Sequence, residues 1–265
     1  MGNLKRKGKV VIFTDLDDTL LDRNYQFREV EVTIKVLNQK KIPIIFCSAK
    51  TKAEQEIFRK KLRINHPFIV ENGSAIYIPP SYFGGKKGKI KGKYEVIVLG
   101  EESKKILAQI KKLKKSYKIK GYADLSFRKV SKITGLTLKF AKLAKKREYG
   151  ETIVEAEKKA LQKLKKKYNV VSGGRFIQVY GKEADKGKAV KILTRLYQEK
   201  FKKVFTLGIG NAENDLPMLK AVLKPALVKN VDGTWAKLKL KNLYKAKNIG
   251  PKGWVEVIKR FVLKS

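Results

Sequence analysis

Short apolar runs alternate with amphipathic segments along the first eighty residues of the chain. Residues 9–14 (KVVIFT) and 42–47 (IPIIFC) are almost entirely apolar or β-branched, which is typical of strands buried on both faces. Residues 27–41 carry apolar side chains at helical spacing, and Thr51 with Glu54 forms a capping-box pattern that opens a second helix. Residues 67–73 (PFIVENG) predict a third strand and its turn. Because strands separated by helices pair in parallel under two helical layers, the sequence predicts an α/β fold with a Rossmann-like parallel sheet.

The composition of the chain changes after Pro79 and Pro80. Residues 83–93 (FGGKKGKIKGK) predict a linker rich in Gly and Lys, and the next ninety residues or so predict strand, helix, short helices, strand, helix and strand. Apolar strands alternating with helices, the pattern of a parallel sheet, then resume and continue to residue 265. We therefore expect an α+β cap domain over residues 81–180, inserted into a core formed by residues 1–80 and 181–265.

Basic side chains dominate the composition, since 63 Lys and Arg stand against 24 Asp and Glu, for a formal net charge of +39. Such a charge supports loose, salt-sensitive attraction to any polyanion, nucleic acid included. In residues 111–120 and 163–169, however, lysines alternate with apolar residues at helical spacing, as on the solvated faces of amphipathic helices. This spacing favours solvated helix surfaces over a binding site, and specific polyanion binding is kept as an alternative function.

The distribution of apolar residues argues against a membrane protein. No apolar run approaches the roughly 18 residues that span a bilayer, and the apolar stretch near the start is too short for a signal peptide. The single Cys47 cannot form an internal disulfide and lies in an apolar run, so we expect a buried thiol. These features predict a cytoplasmic protein, and they leave its oligomeric state open.

Candidate functional side chains follow several of the predicted strands. Ligand sites of parallel sheets form at the carboxyl ends of the strands, so residues at these positions are expected to converge on one edge of the sheet. The residues at these strand ends, or at the start of the helix after the insertion, are Asp15, Asp17, Ser48, Lys186, Asn211 and Asp215.

The chemistry that such a group of residues suggests is phosphoryl transfer. The carboxylate of Asp15 can attack phosphorus to form an aspartyl-phosphate, and Asp17 can serve as general acid and then general base. A bound Mg²⁺ would cancel the repulsion between these carboxylates and a phosphate dianion, because Mg²⁺ prefers oxygen ligands. Lys186 and the Ser48 hydroxyl would stabilise the negative charge on the phosphoryl oxygens.

Four motifs around these residues, in this order, resemble those of the haloacid dehalogenase-like hydrolases. They are DLDDT (15–19), CSAKT (47–51), DKGKAV (185–190) and GNAENDLPML (210–219). The resemblance implies a magnesium-dependent phosphatase with Asp15 as nucleophile and Asp17 as acid and base. It also implies phosphate contacts from Ser48 and Lys186 and a metal site of Asp15, Asp17, Asn211 and Asp215. The same motifs contain Thr19, Lys50 and Asn214, which are further candidate site residues.

A narrower resemblance is to the mannosyl-3-phosphoglycerate phosphatases, members of the Cof-like group with a type IIB α+β cap between the second and third motifs. It rests on CSAKTKAEQE (47–56), ENGSAIYIP (71–79), REYGET (147–152) and SGGRFIQVYGKEADKGKAV (172–190). It implies a phosphorylated glycosyl glycerate as substrate. The implied substrate-binding residues are Glu71, Asn72, Gly73, Arg147, Glu148, Glu151, Gly173, Gly174 and Arg175.

Two features of the sequence leave the function open, the residue at position 211 and the glycine pair at 173–174. The family usually has Asp where this chain has Asn211, and loss of that negative charge is expected to weaken the binding of Mg²⁺. Gly173 and Gly174 fit an anion-binding turn and a plain hairpin turn equally well on the sequence alone. We expect a phosphatase of mannosyl-3-phosphoglycerate or a close glycosyl analogue. The alternatives are a broader sugar-phosphate or phosphoglycolate phosphatase, and a polyanion-binding protein on a degenerate phosphatase scaffold.

Overall fold

Strands and helices alternate through residues 8–173 and 176–263, which the computed structural model of the chain describes. The strands are β1 (Lys9–Thr14), β2 (Ile44–Phe46), β3 (Phe68–Val70), β4 (Ala75–Ile78), β5 (Lys89–Lys91), β6 (Tyr94–Val98), β7 (Ile119–Gly121), β8 (Gly150–Ala156), β9 (Tyr168–Gly173), β10 (Phe176–Gly181), β11 (Val204–Gly210), β12 (Lys224–Lys229) and β13 (Tyr244–Ile249). The helices are α1 (Arg28–Gln39), α2 (Lys52–Lys61), α3 (Ser103–Leu113), α4 (Phe127–Thr134), α5 (Leu138–Ala144), α6 (Lys158–Lys167), α7 (Lys186–Phe201), α8 (Leu216–Lys220) and α9 (Gly250–Ile258).

The central sheet has five strands in the order β13-β12-β11-β1-β2, and every neighbouring pair is parallel. Successive side chains of a strand point to opposite faces of the sheet. Ile12 of β1 accordingly packs into a core with α1 and α9, whereas Val11 and Phe13 pack into a second core with α7 and α8. The predicted α/β fold with a parallel sheet covered on both faces is confirmed.

The third predicted strand forms, but it does not extend the parallel sheet as a full member. A single parallel bridge joins Cys47 to Ile69, and β3 otherwise pairs antiparallel with β4 in a second sheet of order β3-β4-β6-β5. The reason is the turn at Glu71–Gly73, where all three φ angles are positive and the chain reverses direction. The predicted linker at residues 83–93 was also wrong in part, since β5 lies within it as an exposed edge strand.

A third sheet, of order β7-β8-β10-β9, lies in the region predicted as the insertion, residues 81–180, which we call the inserted segment. All its strand pairs are antiparallel. Its face bearing Ile153 and Val179 packs on α3 and α6, and Val154 on the opposite face packs with α4 and α5. These elements follow the predicted α+β order except for β7, a strand between α3 and α4 that the sequence analysis did not predict. The predicted domain limits at residues 80 and 181 stay a prediction. Within the described residues, no helix is both long and apolar enough to cross a membrane.

Candidate active site

A cavity of about 540 Å³ lies at the carboxyl ends of β1, β2 and β11, and the inserted segment forms its opposite wall. The cavity lies at the loops that follow the parallel strands, which is where the sequence predicts a site. The predicted site residues that line it are Asp15, Asp17, Ser48, Lys50, Asn72, Arg147, Asn211 and Asn214.

Asp15 is held at the end of β1 by the sheet itself, because its backbone N–H donates to the carbonyl of Ile209 on β11 at 2.9 Å. Asp15 is only 6% exposed, and its carboxylate accepts a hydrogen bond from Lys186 Nζ at 3.1 Å. Burial raises the pKa of Asp15 to about 7, against the opposing charge of Lys186. The nucleophile candidate therefore combines a buried carboxylate with one cationic partner.

Lys186 lies in the first turn of α7, which Asp185 caps by accepting the backbone N–H of Lys188 at 2.7 Å. Its ammonium also donates to Oδ1 of Asp215 at 2.7 Å. Burial opposes the charge of this lysine, but Asp15 and Asp215 together raise its pKa above the ordinary value. Lys186 is 2% exposed and is not among the cavity-lining residues, and its ammonium contacts the carboxylates of Asp15 and Asp215.

Asn211 is fixed from three sides. Its Oδ1 accepts a hydrogen bond from Thr19 Oγ1 at 2.9 Å, and its Nδ2 donates to Oδ1 of Asn230 at 2.8 Å. Its backbone N–H donates to Oδ2 of Asp215 at 3.0 Å. Both carboxylate oxygens of Asp215 are thus bonded to protein groups, and its side chain is fully buried.

Asp17 forms an ion pair with Lys50. Its Oδ1 lies 2.9 Å from Nζ of Lys50, which also lies 3.7 Å from Glu54 Oε1 and 3.9 Å from the ring centre of Tyr25. Burial opposes the charge on Lys50, but Asp17 and Glu54 raise its pKa overall. The capping box that includes Thr51 and Glu54 is present as predicted. The sequence reasoning did not include Tyr25 and Glu54 in the site, although both line the cavity.

Ser48 follows β2 and is 1% exposed, with its backbone N–H bonded to the carbonyl of Ile69 at 3.2 Å. Its hydroxyl accepts the backbone N–H of Lys50 at 3.3 Å, and its carbonyl accepts that of Asn72 at 3.1 Å. These bonds bring the loop after β2 and the turn after β3 to the same side of the cavity.

Glu71 connects the core to the inserted segment. Its Oε1 accepts the backbone N–H of Glu148 at 2.8 Å, and its Oε2 accepts that of Tyr149 at 3.2 Å and lies 3.5 Å from Arg147 Nη1. Gly73 packs against the start of α7 so closely that a Cβ there would lie 2.3 Å from the carbonyl carbon of Asp185. Neither Glu71 nor Gly73 lines the cavity.

Of the remaining predicted substrate-binding residues, Glu148 and Glu151 do not line the cavity. Glu148 pairs with Lys91 and Lys52, and Glu151 accepts the backbone N–H of Tyr122 at 3.0 Å, so both carboxylates are occupied by protein partners. Gly173 ends β9, and Gly174 and Arg175 lie outside the described residues. The cavity wall formed by the inserted segment contains residues that the sequence analysis did not select, namely Tyr122, Leu136, Ala144, Thr152, Val171, Ser172 and Gln178.

Comparison with known proteins identifies the family. Residues 12–237 match the model of the haloacid dehalogenase-like hydrolase family. The chain belongs to this family. It is a phosphoric monoester hydrolase, as the four motifs predicted.

Two named relatives are similar over most of the chain. A glucosyl-3-phosphoglycerate/mannosyl-3-phosphoglycerate phosphatase of Methanococcoides burtonii is 40% identical over 94% of this chain and 96% of its own length. A mannosyl-3-phosphoglycerate phosphatase of Pyrococcus furiosus is 41% identical over 80% of this chain and 88% of its own length. The narrower resemblance seen in the sequence is thereby confirmed.

Solved structures of low sequence identity share the fold of this hydrolase. A phosphatase of the haloalkanoate enzyme superfamily from Bacteroides thetaiotaomicron superposes with a TM-score of 0.69 at 12% identity, over 98% of each chain. The sucrose-phosphatase of Synechocystis sp. PCC6803, solved with sucrose and phosphate, gives a TM-score of 0.59 at 12% identity, over 96% of this chain and 98% of that one. These matches support the parallel-sheet core with its inserted α+β segment.

Proposed function

We propose that this hydrolase removes phosphate from mannosyl-3-phosphoglycerate or glucosyl-3-phosphoglycerate to yield the glycosylglycerate. The observation that carries the proposal is the position of Asp15, a buried carboxylate bonded to Lys186, in a cavity whose far wall is formed by the inserted segment. Support for the substrate comes from the two relatives of about 40% identity whose names state it.

In the proposed reaction, Asp15 attacks phosphorus while the bond from phosphorus to the glycerate oxygen breaks, and Asp17 protonates that departing oxygen. The resulting aspartyl-phosphate is then hydrolysed by water, whose proton Asp17 accepts, which regenerates both carboxyl groups. Ser48 lines the same cavity as Asp15, so we assign its hydroxyl the role of donor to a phosphoryl oxygen. Lys186 keeps Asp15 oriented and offsets the negative charge gathered at this point.

The oxygen donors at the cavity fit Mg²⁺. Within the described residues, no group of three or more His, Cys, Asp or Glu side chains could hold a metal. Mg²⁺ nevertheless needs only one or two protein carboxylates because it retains several waters and takes further oxygens from phosphate. The carboxylate of Asp15, the backbone carbonyl of Asp17 and Oδ1 of Asn211 would hold it. Asp215 would keep Asn211 in position by accepting its backbone N–H. When bound, Mg²⁺ would screen the repulsion between the carboxylates and the phosphate.

The glycerate carboxylate has a candidate partner in Arg147. Both terminal nitrogens of its guanidinium lie 3.3 Å from the carbonyl of Ala49, and its Nε is buried without a hydrogen-bond partner. Arg147 and Asn72 both line the cavity, so an anion entering it would meet a cation already held by the carbonyl of Ala49. We include Arg147 and Asn72 in the substrate site on this ground, and the other predicted substrate residues by family resemblance.

The test is phosphate release from mannosyl-3-phosphoglycerate, glucosyl-3-phosphoglycerate, phosphoglycolate and several sugar phosphates across a Mg²⁺ titration. Asp15→Asn serves as the blank, since it keeps the shape of the side chain and removes the nucleophile. We expect strong preference for a glycosyl phosphoglycerate and no turnover by the variant. Equal rates on all substrates would favour a broad sugar-phosphate or phosphoglycolate phosphatase, and undiminished release by Asp15→Asn would refute the assignment of Asp15.

A further inference from the structure

Three neighbouring strands of the sheet in the inserted segment present one side chain each to the cavity. Gln178 of β10 lies directly opposite Thr152 of β8 and Val171 of β9 in the strand register. Directly opposite residues of an antiparallel pair point to the same face. All three line the cavity, whereas the adjacent residues Ile153 and Val179 point to the opposite face and pack with α3 and α6. The row Thr152–Gln178–Val171 therefore forms part of the wall that faces Asp15.

Gln178 is the member of this row with a long polar side chain, and Thr152 orients it. The hydroxyl of Thr152 is buried and donates its single proton to Oε1 of Gln178 at 3.2 Å. Because Oε1 accepts this bond, Nε2 is the end of the amide that remains to donate. A neutral amide donor held in a fixed orientation suits a hydroxyl oxygen of a sugar.

The cationic residues that line the cavity contact the core, in contrast to the neutral row formed by Thr152, Gln178 and Val171. Lys50 and Arg147, the cations among the lining residues, contact the core groups Asp17 and Ala49. An anionic part of the substrate would thus bind toward the core, near Asp15. The glycerate unit carries both the phosphate and the sugar, so the sugar extends from there toward the wall of the inserted segment.

We propose that Gln178 determines specificity by donating a hydrogen bond to a hydroxyl oxygen of the substrate's sugar ring, and that Thr152 is the residue that positions it. This inference rests on the proposed function, because it takes a glycosyl phosphoglycerate as the substrate. It assigns no role to Gln178 in the phosphoryl transfer itself. The consequence is that loss of the amide affects only substrates that carry a sugar.

The experiment compares kcat/KM for mannosyl-3-phosphoglycerate with kcat/KM for 3-phosphoglycerate, which keeps the phosphate and carboxylate and lacks the sugar. Gln178→Leu removes the amide at similar size, and we expect it to lower kcat/KM for the glycosyl substrate about tenfold, the effect of one lost hydrogen bond. The value for 3-phosphoglycerate should change by less than about twofold. Thr152→Val should produce a smaller loss with the same selectivity, and Thr152→Ser should restore the wild-type ratio.

The matched control is Gln162→Leu, the same substitution at an exposed position of α6, which should leave both values unchanged. A Gln178→Leu enzyme that lowers both values equally, or neither, overturns the role of Gln178 while the proposed function stands. A wild-type enzyme with no preference for the glycosyl substrate overturns the proposed function and this inference with it. If Gln178→Leu does not fold, as judged by thermal unfolding, the ratio measured for Thr152→Val decides.

Discussion

The ammonium nitrogen of Lys186 lies 2.7 Å from Oδ1 of Asp215, and both side chains are almost completely shielded from solvent. Oδ2 of the same carboxylate accepts the backbone N–H of Asn211, and the same ammonium donates to Asp15. This one ion pair therefore joins the start of α7 to the ends of β1 and β11. The candidate nucleophile Asp15 and the packing of α7 on the sheet thus share the same buried charges.

Replacement of Lys186 by Met should therefore destabilise the fold as well as abolish activity. The variant leaves Asp15 and Asp215 as buried carboxylates without their cation, and we expect the free energy of unfolding to fall by about 3–5 kcal/mol. Urea unfolding at neutral pH measures this. Lys188→Met is the matched control, since Lys188 is exposed and pairs with the exposed Glu183, and its effect should stay within about 0.5 kcal/mol. Equal stability of the two variants would contradict the prediction.

Replacement of Asn211 by Asp should strengthen the binding of Mg²⁺. The substitution adds a negative charge and keeps the oxygen that accepts a hydrogen bond from Thr19, whereas the bond that Nδ2 donates to Asn230 is lost. We expect the Mg²⁺ concentration for half-maximal activity to fall about tenfold, and the rise in melting temperature on adding Mg²⁺ to become larger. Asn24→Asp, which changes the net charge equally at an exposed position, should do neither. A Mg²⁺ requirement unchanged by Asn211→Asp would remove Asn211 from the metal site.

Replacement of Glu71 by Gln should loosen the inserted segment from the core. The buried carboxylate accepts two backbone N–H groups of that segment, one on each oxygen, whereas Gln places its NH₂ donor against one of them. We expect a loss of about 1–3 kcal/mol in the free energy of unfolding and faster hydrogen exchange at Glu148 and Tyr149. Glu102→Gln, an exposed control, should show neither change. Unaltered exchange at both amides would argue against Glu71 as the connection.

Acid should destabilise the protein partly through His66. Burial, with help from the charges of Arg59 and Lys9, lowers the pKa of His66 from 6.5 to about 4, and its Nδ1 pairs with the hydroxyl of Tyr82 at 2.6 Å. Between these pH values the unfolded chain takes up a proton at His66 and the folded chain does not. The stability that neutral His66 contributes is therefore present above pH 6.5 and lost as the pH falls toward 4.

His66→Asn tests this by removing the titrating group and keeping a polar side chain for Tyr82. We expect the stability difference between wild type and variant, measured by urea unfolding, to shrink steadily as the pH is lowered from 7 toward 4.5. A difference that stays constant over this range would show that His66 does not titrate on unfolding.

The net charge of +39 predicts attraction to polyanions that depends on charge alone. Binding to duplex DNA of mixed sequence should weaken by orders of magnitude when the salt concentration is raised from about 50 to 200 mM, with no preference among sequences. Fluorescence anisotropy of labelled duplexes at several salt concentrations measures this. Tight binding that persists at the higher salt, with a sequence preference, would instead support a nucleic-acid function for the protein.

The sequence by itself determined the local structure and the kind of chemistry. Apolar runs identified β1, β2 and β11, the pattern at Thr51 and Glu54 located the start of α2, and the strand ends indicated where the candidate site would form. These features follow from periodicity and capping, which depend on near neighbours in the chain. The motif residues at the strand ends indicate phosphoryl transfer by their residue types and spacing alone.

Only the tertiary structure decided which distant groups meet. The pairing of β3 with β4, the use of Glu71 to hold the inserted segment, and the contact of Asp17 with Lys50 depend on packing between segments far apart in sequence. Gln178 and Thr152 lie in stretches that carry the family resemblance, but their residue types did not mark them as site residues. They reach the cavity because the register of β8 and β10 places them on its side of the sheet. Strand periodicity shows that alternate residues share a face, but which face meets the active site is determined by how the sheet packs on the core.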